Sequence, residues 1–427
     1  MDYAIFPPEE IIDTTVSLPL SKSISARALI MSRLSDNPGQ LPTLADCDDT
    51  RALTSALTTT TGTIDIGAAG TAMRFATAYF AATAGTEVII KGTERMHHRP
   101  IKILVEALRS LGADIQYLEQ DGFPPLKIHG HQLSGGSIDI DASVSSQFLS
   151  ALVMVAPTMQ SPLTINLNGE PTSLPYLKLT LSMMTAHGID AELSGLTITV
   201  NPGSYSNFKF DTIEPDWSAA SYWYSIAALS AGWVTLPGLN PDSRQGDSAM
   251  AYYGERLGVI TTPIDPDEHP DTDNGVQLSA SPEIFNRLET DMSATPDLVP
   301  TLAVLSPMLG VPFRFTGVHT LRDKETDRLQ AICDQMRHLG FILETEGDDV
   351  LLWESKRCPV YELPAIDTYD DHRMAMAFAP VSLYLPGLII RDVEVVAKSY
   401  PSFWEDLRAA GFSLIDTNEI DNNPQTT

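Results

Sequence analysis

The stretch Glu106–Gln120, EALRSLGADIQYLEQ, runs from an amphipathic helical segment through Gly112 into residues that alternate as a strand does. A glycine just past a helix is the expected left-handed stop. A second short strand, LKIHG, follows across a turn. The same ending recurs as LSMMTAHGIDAEL with LTITV, and as YYGERLGVITTPI with GVQLSA. It appears again in QMRHLGFILETEGDDVLLW and, truncated, in WEDLRAAGFSLID. The stop glycines are Gly112, Gly188, Gly258, Gly340 and Gly411.

Upstream of each such helix lies another, rich in small and apolar residues. These begin near Ser21, Gly70, Ser145, Asp216, Pro296 and Asp371. The first of them is followed by a shorter second helix, DTRALTSAL. Alanine and serine mixed with leucine suit a helix enclosed on several sides. Self-similarity at this period indicates repeated supersecondary units. Each unit reads as strand, helix, strand, helix and a strand pair, an α/β architecture with mixed sheets. Six units in one chain suggest two similar domains of three units each. A split at mid-chain and a discontinuous first domain both fit that count.

Bulk properties narrow the function. A chain of 427 residues is long enough for two cored domains. Its net charge of −28 argues against nonspecific nucleic-acid binding and against anionic membranes. The opening MDYAIFPPEE lacks a signal-peptide pattern, and no apolar run reaches spanning length. Cys47, Cys333 and Cys358 have no metal-ligand spacing, so a reducing, cytoplasmic setting without a disulfide framework is expected. The tail after about residue 417 is polar and expected to be disordered. No metal motif, P-loop or GxGxxG is visible, so no metal and no cofactor are expected.

Chemistry collects at the first turns of the helices. Lys22, Ser23 and Arg27 open one; Gly70, Thr71 and Arg74 open the next, with Arg95 and Arg99 beyond it. Ser145, Ser146 and Gln147 open the third, Asp297 the fifth, and His372 and Arg373 the sixth, while Lys398 precedes a serine and a tyrosine. The nine residues Leu321–Leu329, LRDKETDRL, read as a helix start with Asp323 as N-cap and with Lys324 and Arg328 on one face. A cation there opposes the helix dipole by roughly 0.3–1 kcal/mol. Taken singly, SKSIS is a polar helix start, GTAMR a close-packing glycine, and LRDKETDRL a solvated charge network. As a set they form a pocket for phosphates and carboxylates. Asp297, Glu325, Asp327, Asp370 and Asp371 are interleaved with the cations. A carboxylate near Lys22, Lys324 or Lys398 is a candidate general acid or base, Asp297 also reading as a plain helix N-terminal acid; His372 is a proton donor or a hydrogen-bond anchor.

At these residues the sequence resembles the 5-enolpyruvylshikimate-3-phosphate synthases, enolpyruvyl transferases also called 3-phosphoshikimate 1-carboxyvinyltransferases. The matching stretches are SKSISARAL, AAGTAMRF, RMHHRPI, SSQFLSAL, LPYLKLT, TPDLVPTLA, KETDRL, YDDHRMAMAF and AKSYPSFWEDL, in family order. KETDRL with DHRMAM is the specific pair. The resemblance implies two domains, each of three βαβαββ units in an inside-out α/β barrel-like arrangement, with helix N-termini facing an interdomain cleft. It implies a discontinuous domain of residues 1–19 and 215–427 and an inserted domain of residues 20–214. It also implies enolpyruvyl transfer from phosphoenolpyruvate to the 5-hydroxyl of shikimate 3-phosphate, with domain closure on the sugar phosphate first.

By the same resemblance, Lys22, Ser23, Arg27, Ser145, Ser146, Gln147, Ser173, Asp297 and Lys324 would hold shikimate 3-phosphate. Lys22, Gly70, Arg99, Gln147, Arg328, His372, Arg373 and Lys398 would hold phosphoenolpyruvate. Asp297, Glu325 and Lys22 would be catalytic. A monomer acting on these two small molecules is expected, with no nucleic-acid or membrane partner. Leu20, Ala26, Ala68, Phe75 and Thr320 depart from the family pattern, while Gly70 keeps the small residue that admits the inhibitor glyphosate. The rival is enolpyruvyl transfer to UDP-N-acetylglucosamine; its usual loop cysteine has no counterpart between residues 76 and 140.

Overall fold

The computed structural model describes residues 1–36, 41–141, 145–169, 171–206, 212–264, 274–360 and 365–418. The expected disordered tail lies, from residue 419 onward, outside the described residues. The fold is mixed α/β, with five four-stranded sheets among the described residues. The chain divides into two compact units, Met1–Pro19 with Glu214–Thr427, and Leu20–Ile213.

Every sheet has one plan: a parallel pair at one edge and two antiparallel strands at the other. In the second unit, Thr61–Asp65 runs parallel to Glu87–Lys91, which pairs antiparallel with Leu126–His129 and through it meets Asp114–Tyr117. The strands of residues 136–141, 163–168, 191–194 and 197–200 repeat that plan. The helices Lys22–Arg33 and Asp48–Ala56 of the expected third repeat are present. Among the described residues, no strand gives that helix pair a sheet of its own.

Among its described residues the first unit holds three such sheets, and two of them borrow strands from the chain's beginning. Tyr3–Phe6 lies between Leu388–Ile390 and Ser413–Asp416, antiparallel to both. The last repeat looked truncated because its fourth strand is supplied by the N-terminus. Asp13–Thr15 pairs in parallel with Trp233–Pro237, so it is the first strand of a repeat whose helix, Trp217–Leu229, comes only after residues 20–213.

The stop glycines behave as read. Gly112, Gly188, Gly258, Gly340 and Gly411 all have φ between 80° and 101°. At the first, the Gly112 N–H reaches the Arg109 carbonyl at 2.9 Å and the Ala113 N–H reaches Leu108 at 3.0 Å, a Schellman closure. A side chain in this region of φ is strained, which is why these five repeats spend a glycine there.

The small-residue helices are the buried centre of each unit. Trp217–Leu229, Val299–Met308 and His372–Phe378 pack on one another in the first. Lys22–Arg33, Gly70–Ala82 and Ser146–Val155 do so in the second. Their small faces permit close approach while Trp217, Trp223, Phe75 and Phe80 fill the space between layers. Second helices such as Lys102–Ser110 bury one stripe only.

Candidate active site

In the first unit, the starts of the buried helices bring together Asp297, Lys324, Glu325, Arg328, Arg373 and Lys398. Arg328 is the hub and is 2% exposed. Its Nε donates to Asp371 Oδ2 at 2.6 Å, its Nη2 to Glu325 Oε2 at 2.7 Å and its Nη1 to Asp297 Oδ1 at 3.2 Å. Lys398 Nζ holds the other Glu325 oxygen at 2.6 Å. Arg373 Nη2 holds the other Asp297 oxygen at 2.7 Å, and Lys324 Nζ lies 4.0 Å from Asp297 Oδ1. Burial works against the Arg328 charge, but Asp371, Glu325 and Asp297 together raise its pKa above the ordinary value. The solvated-network reading of LRDKETDRL is therefore wrong for Arg328, though Arg322 does join Asp327 and Asp348 at the surface.

The helix start expected at Asp323 is also corrected. His319–Asp323 is a short 3-10 turn, Lys324 is extended, and the α-helix is Arg328–His338. Asp327 is the N-cap, its carboxylate accepting the Gln330 N–H at 3.1 Å. Lys324 and Arg328 share no helix face; they meet through Asp297 instead. The dipole penalty at Arg328 is offset by three carboxylates. Asp371 likewise caps His372–Phe378 by accepting the Arg373 N–H at 2.9 Å. His372 lies buried beside it, Nδ1 3.7 Å from Asp371 Oδ1.

The second unit gathers the remaining residues. Lys22 and Ser23 line a recess with Asp49, Thr50, Thr71 and Ala72. Lys22 Nζ meets Asp49 Oδ2 at 3.1 Å, and Gln147 Nε2 donates to Thr71 Oγ1 at 3.1 Å. Ser145 is the N-cap of the helix that Ser146 and Gln147 open, and Ser146 is buried. A Cβ built on Gly70 would fall 2.6 Å from Arg99 Nη1, so the glycine is what lets that guanidinium sit over the helix start. Arg74 fixes the same corner, donating to the carbonyls of Gly70 and Pro100.

Ser173 has φ 53°, a left-handed conformation that a serine holds only at a cost. Arg27 is buried and bonded to Thr180 Oγ1, the Ser23 carbonyl, Ser150 Oγ and the Tyr176 carbonyl. Burial pulls its pKa down to about 10. Those bonds use most of its donors on the fold itself.

Three residues were missed in the sequence. Asp247, 1% exposed, accepts a short hydrogen bond from Ser218 Oγ, and Ser218 lies 3.5 Å from Arg373 Nη2. Burial pushes Asp247 up to about 6, with nearby Asp297 raising it further and Arg373 opposing. Asp49 is the third, and it faces Lys22 from a different helix. Acids read as N-terminal dipole partners carry no sequence mark of such pairing.

Arg328, Lys398, Arg373 and Lys22 are thus each held by a carboxylate of their own unit. Comparison with known proteins decides which ligand family is in question. A family model described as EPSP synthase (3-phosphoshikimate 1-carboxyvinyltransferase) matches residues 56–407. The chain belongs to the EPSP synthase family. A 3-phosphoshikimate 1-carboxyvinyltransferase of Bacteroides fragilis (strain YCH46) is 47% identical over 97% of this chain and 99% of its own length. One from Syntrophobacter fumaroxidans is 36% identical over 92% of this chain and 96% of its own. An EPSP synthase from Acinetobacter baumannii shares the fold, with a TM-score of 0.74 at 19% identity over 97% of this chain and all of that one.

Proposed function

We propose that this chain transfers the enolpyruvyl group of phosphoenolpyruvate to the 5-hydroxyl of shikimate 3-phosphate. The products are 5-enolpyruvylshikimate 3-phosphate and inorganic phosphate, in the shikimate route to chorismate and the aromatic amino acids. Family membership supports the reaction, and one observation carries the mechanism: Glu325 is held between Arg328 and Lys398, beside an Asp297 held by Arg328 and Arg373. Acid, base and cations therefore lie within one hydrogen-bonded set.

Arg328, Arg373 and Lys398 bind phosphoenolpyruvate as forks and a point charge for its anionic groups. Lys22, Arg99, Gln147 and the space above Gly70 serve the same ligand, and His372 backs Arg373. Lys22, Ser23, Arg27, Ser145, Ser146, Gln147, Ser173, Asp297 and Lys324 serve shikimate 3-phosphate, Arg27 largely by holding Ser23.

Glu325 delivers a proton to the methylene carbon, leaving C2 electron-poor. The 5-hydroxyl oxygen bonds to C2 and gives up its proton to Asp297. The C2–O bond to phosphate then breaks with Lys22 assisting at the bridging oxygen, the phosphate leaves with the proton that Asp297 took, and a methyl proton returns to Glu325, restoring the vinyl ether. No external oxidant or metal enters the balance. Cations already placed by Asp297, Glu325 and Asp371 need little reorganisation when an anion arrives.

The test is phosphate release from phosphoenolpyruvate with shikimate 3-phosphate and UDP-N-acetylglucosamine offered separately. Turnover with the first alone is expected; turnover with the second alone overturns the assignment. Among the described residues no helix is long and apolar enough to cross a membrane. A cytoplasmic monomer is the state we propose, checked by fractionation and by light scattering of the purified chain.

A further inference from the structure

Asp371 owes its place to a turn that one of its own residues, Tyr369, disfavours. The Asp371 N–H donates to the Thr368 carbonyl at 2.9 Å, and the two residues between, Tyr369 and Asp370, have φ of 54° and 56°. Two positive φ values inside a closed four-residue turn are the pattern normally given to glycine, asparagine and aspartate. Asp370 suits its place, but a tyrosine does not choose that conformation; something must hold Tyr369.

The holder is Gln335. It is wholly buried, its Nε2 donates to Tyr369 Oη at 2.8 Å, and its Oε1 accepts the Asp367 N–H at 3.2 Å. One side-chain amide thereby grips the backbone before the turn and the side chain within it. Gln335 stands seven residues after Arg328 on the helix Arg328–His338, two turns on along the same face. That face therefore touches the loop twice: through Gln335 at Asp367 and Tyr369, and through Arg328 at Asp371. The rigid helix sets the distance between the two grips. Asp371 in turn orients the Arg328 fork and caps the helix that begins with His372 and Arg373.

We infer that Gln335 is a positioning residue for phosphoenolpyruvate binding, acting through the Tyr369–Asp370 turn and Asp371 on the orientation of Arg328 and Arg373. The inference rests on the reading that those two arginines hold phosphoenolpyruvate. It needs no contact between Gln335 and any substrate.

Gln335→Met keeps the length and burial of the side chain and removes both bonds. Tyr369→Phe removes one and keeps the Asp367 grip. Both are assayed as purified full chains for the two Michaelis constants, kcat and melting temperature, beside Arg328→Ala. For Gln335→Met the expected result is a loss of about ten- to a hundredfold in kcat/KM for phosphoenolpyruvate, the scale of a misplaced binding group. The constant for shikimate 3-phosphate should hold, and Tyr369→Phe should shift the same way by less. An unchanged constant for phosphoenolpyruvate in both variants, with Arg328→Ala raising it, overturns the inference alone. Equal losses for the two substrates alongside a lowered melting temperature also overturn it, reducing Gln335 to a structural residue. If Gln335→Met does not fold, the substrate split in Tyr369→Phe decides. An unaltered constant in Arg328→Ala instead overturns the reading of the arginines.

Discussion

The Arg328 guanidinium meets the fully buried Asp371 carboxylate through Nε at 2.6 Å and Nη2 at 3.3 Å. A charged pair in that position contributes little as a pair, because desolvation offsets the attraction, but breaking it strands a buried charge. Arg328→Ala should therefore cost stability on the order of 3–5 kcal/mol as well as phosphoenolpyruvate affinity. Arg287, which bridges Glu354 and Glu289 at the surface, is the control: its loss should shift the midpoint far less. Urea unfolding of both variants checks the contrast. Equal midpoints would return Arg328 to the status of a surface charge.

Gly70→Ala should separate stability from binding in the opposite sense. The added methyl meets the end of a long side chain, Arg99, at 2.6 to 2.8 Å, and that side chain can swing away. Gly70 opens its helix, where alanine gains less over glycine than the roughly 1 kcal/mol of a helix interior. The expected outcome is an equal or higher melting temperature with a raised Michaelis constant for phosphoenolpyruvate. A lowered melting temperature with unchanged kinetics would show that Arg99 holds the fold rather than the ligand.

Glu325→Gln keeps the size of the side chain that Arg328 and Lys398 grip and removes its proton chemistry. Turnover should fall by about a hundredfold or more, the usual worth of a positioned acid–base group. Exchange of solvent deuterium into the methylene of phosphoenolpyruvate should fall with it. Preserved exchange would move the proton to another group.

Local chemistry was legible in the sequence and remote pairing was not. Glycines at Gly112 and Gly340 announce their helix ends because a stop needs only neighbouring residues. The six buried helix starts could be read from small residues followed by a second helix. The strand Tyr3–Phe6 could not be assigned to the last repeat, since its partners lie at Leu388–Ile390 and Ser413–Asp416. At LRDKETDRL two aspartates competed for the cap, and Asp327 won where the first turn closes on Gln330. Cation enrichment at helix starts pointed to the site and to acids such as Asp297 and Glu325 among the cations, but not to which cation each acid meets, nor to Asp247 and Asp49. Asp371 meets Arg328 from 43 residues away, and Asp247 meets Ser218 from 29.

Asp247 gives the last expectation, a pH dependence with a definite sign. Burial, then Asp297, raise its pKa from 3.8 to about 6 against the pull of Arg373 and the Ser218 hydrogen bond. Between those two values the folded chain holds a proton that the unfolded chain has released. Stability from this group is therefore complete below the unfolded pKa and is lost as pH rises through the folded one. Asp247→Asn keeps an oxygen for Ser218 and cannot ionise. Its stability relative to the parent chain should climb across pH 4 to 7 and then level off, by about 2–3 kcal/mol for a shift of this size. Paired urea titrations of the two chains at each pH isolate the difference from every other titrating group. A difference that stays flat would mean that Asp247 ionises as an ordinary carboxylate, held by Arg373 as an ion pair. In that case Asp247→Asn should instead loosen Arg373 and raise the Michaelis constant for phosphoenolpyruvate at every pH.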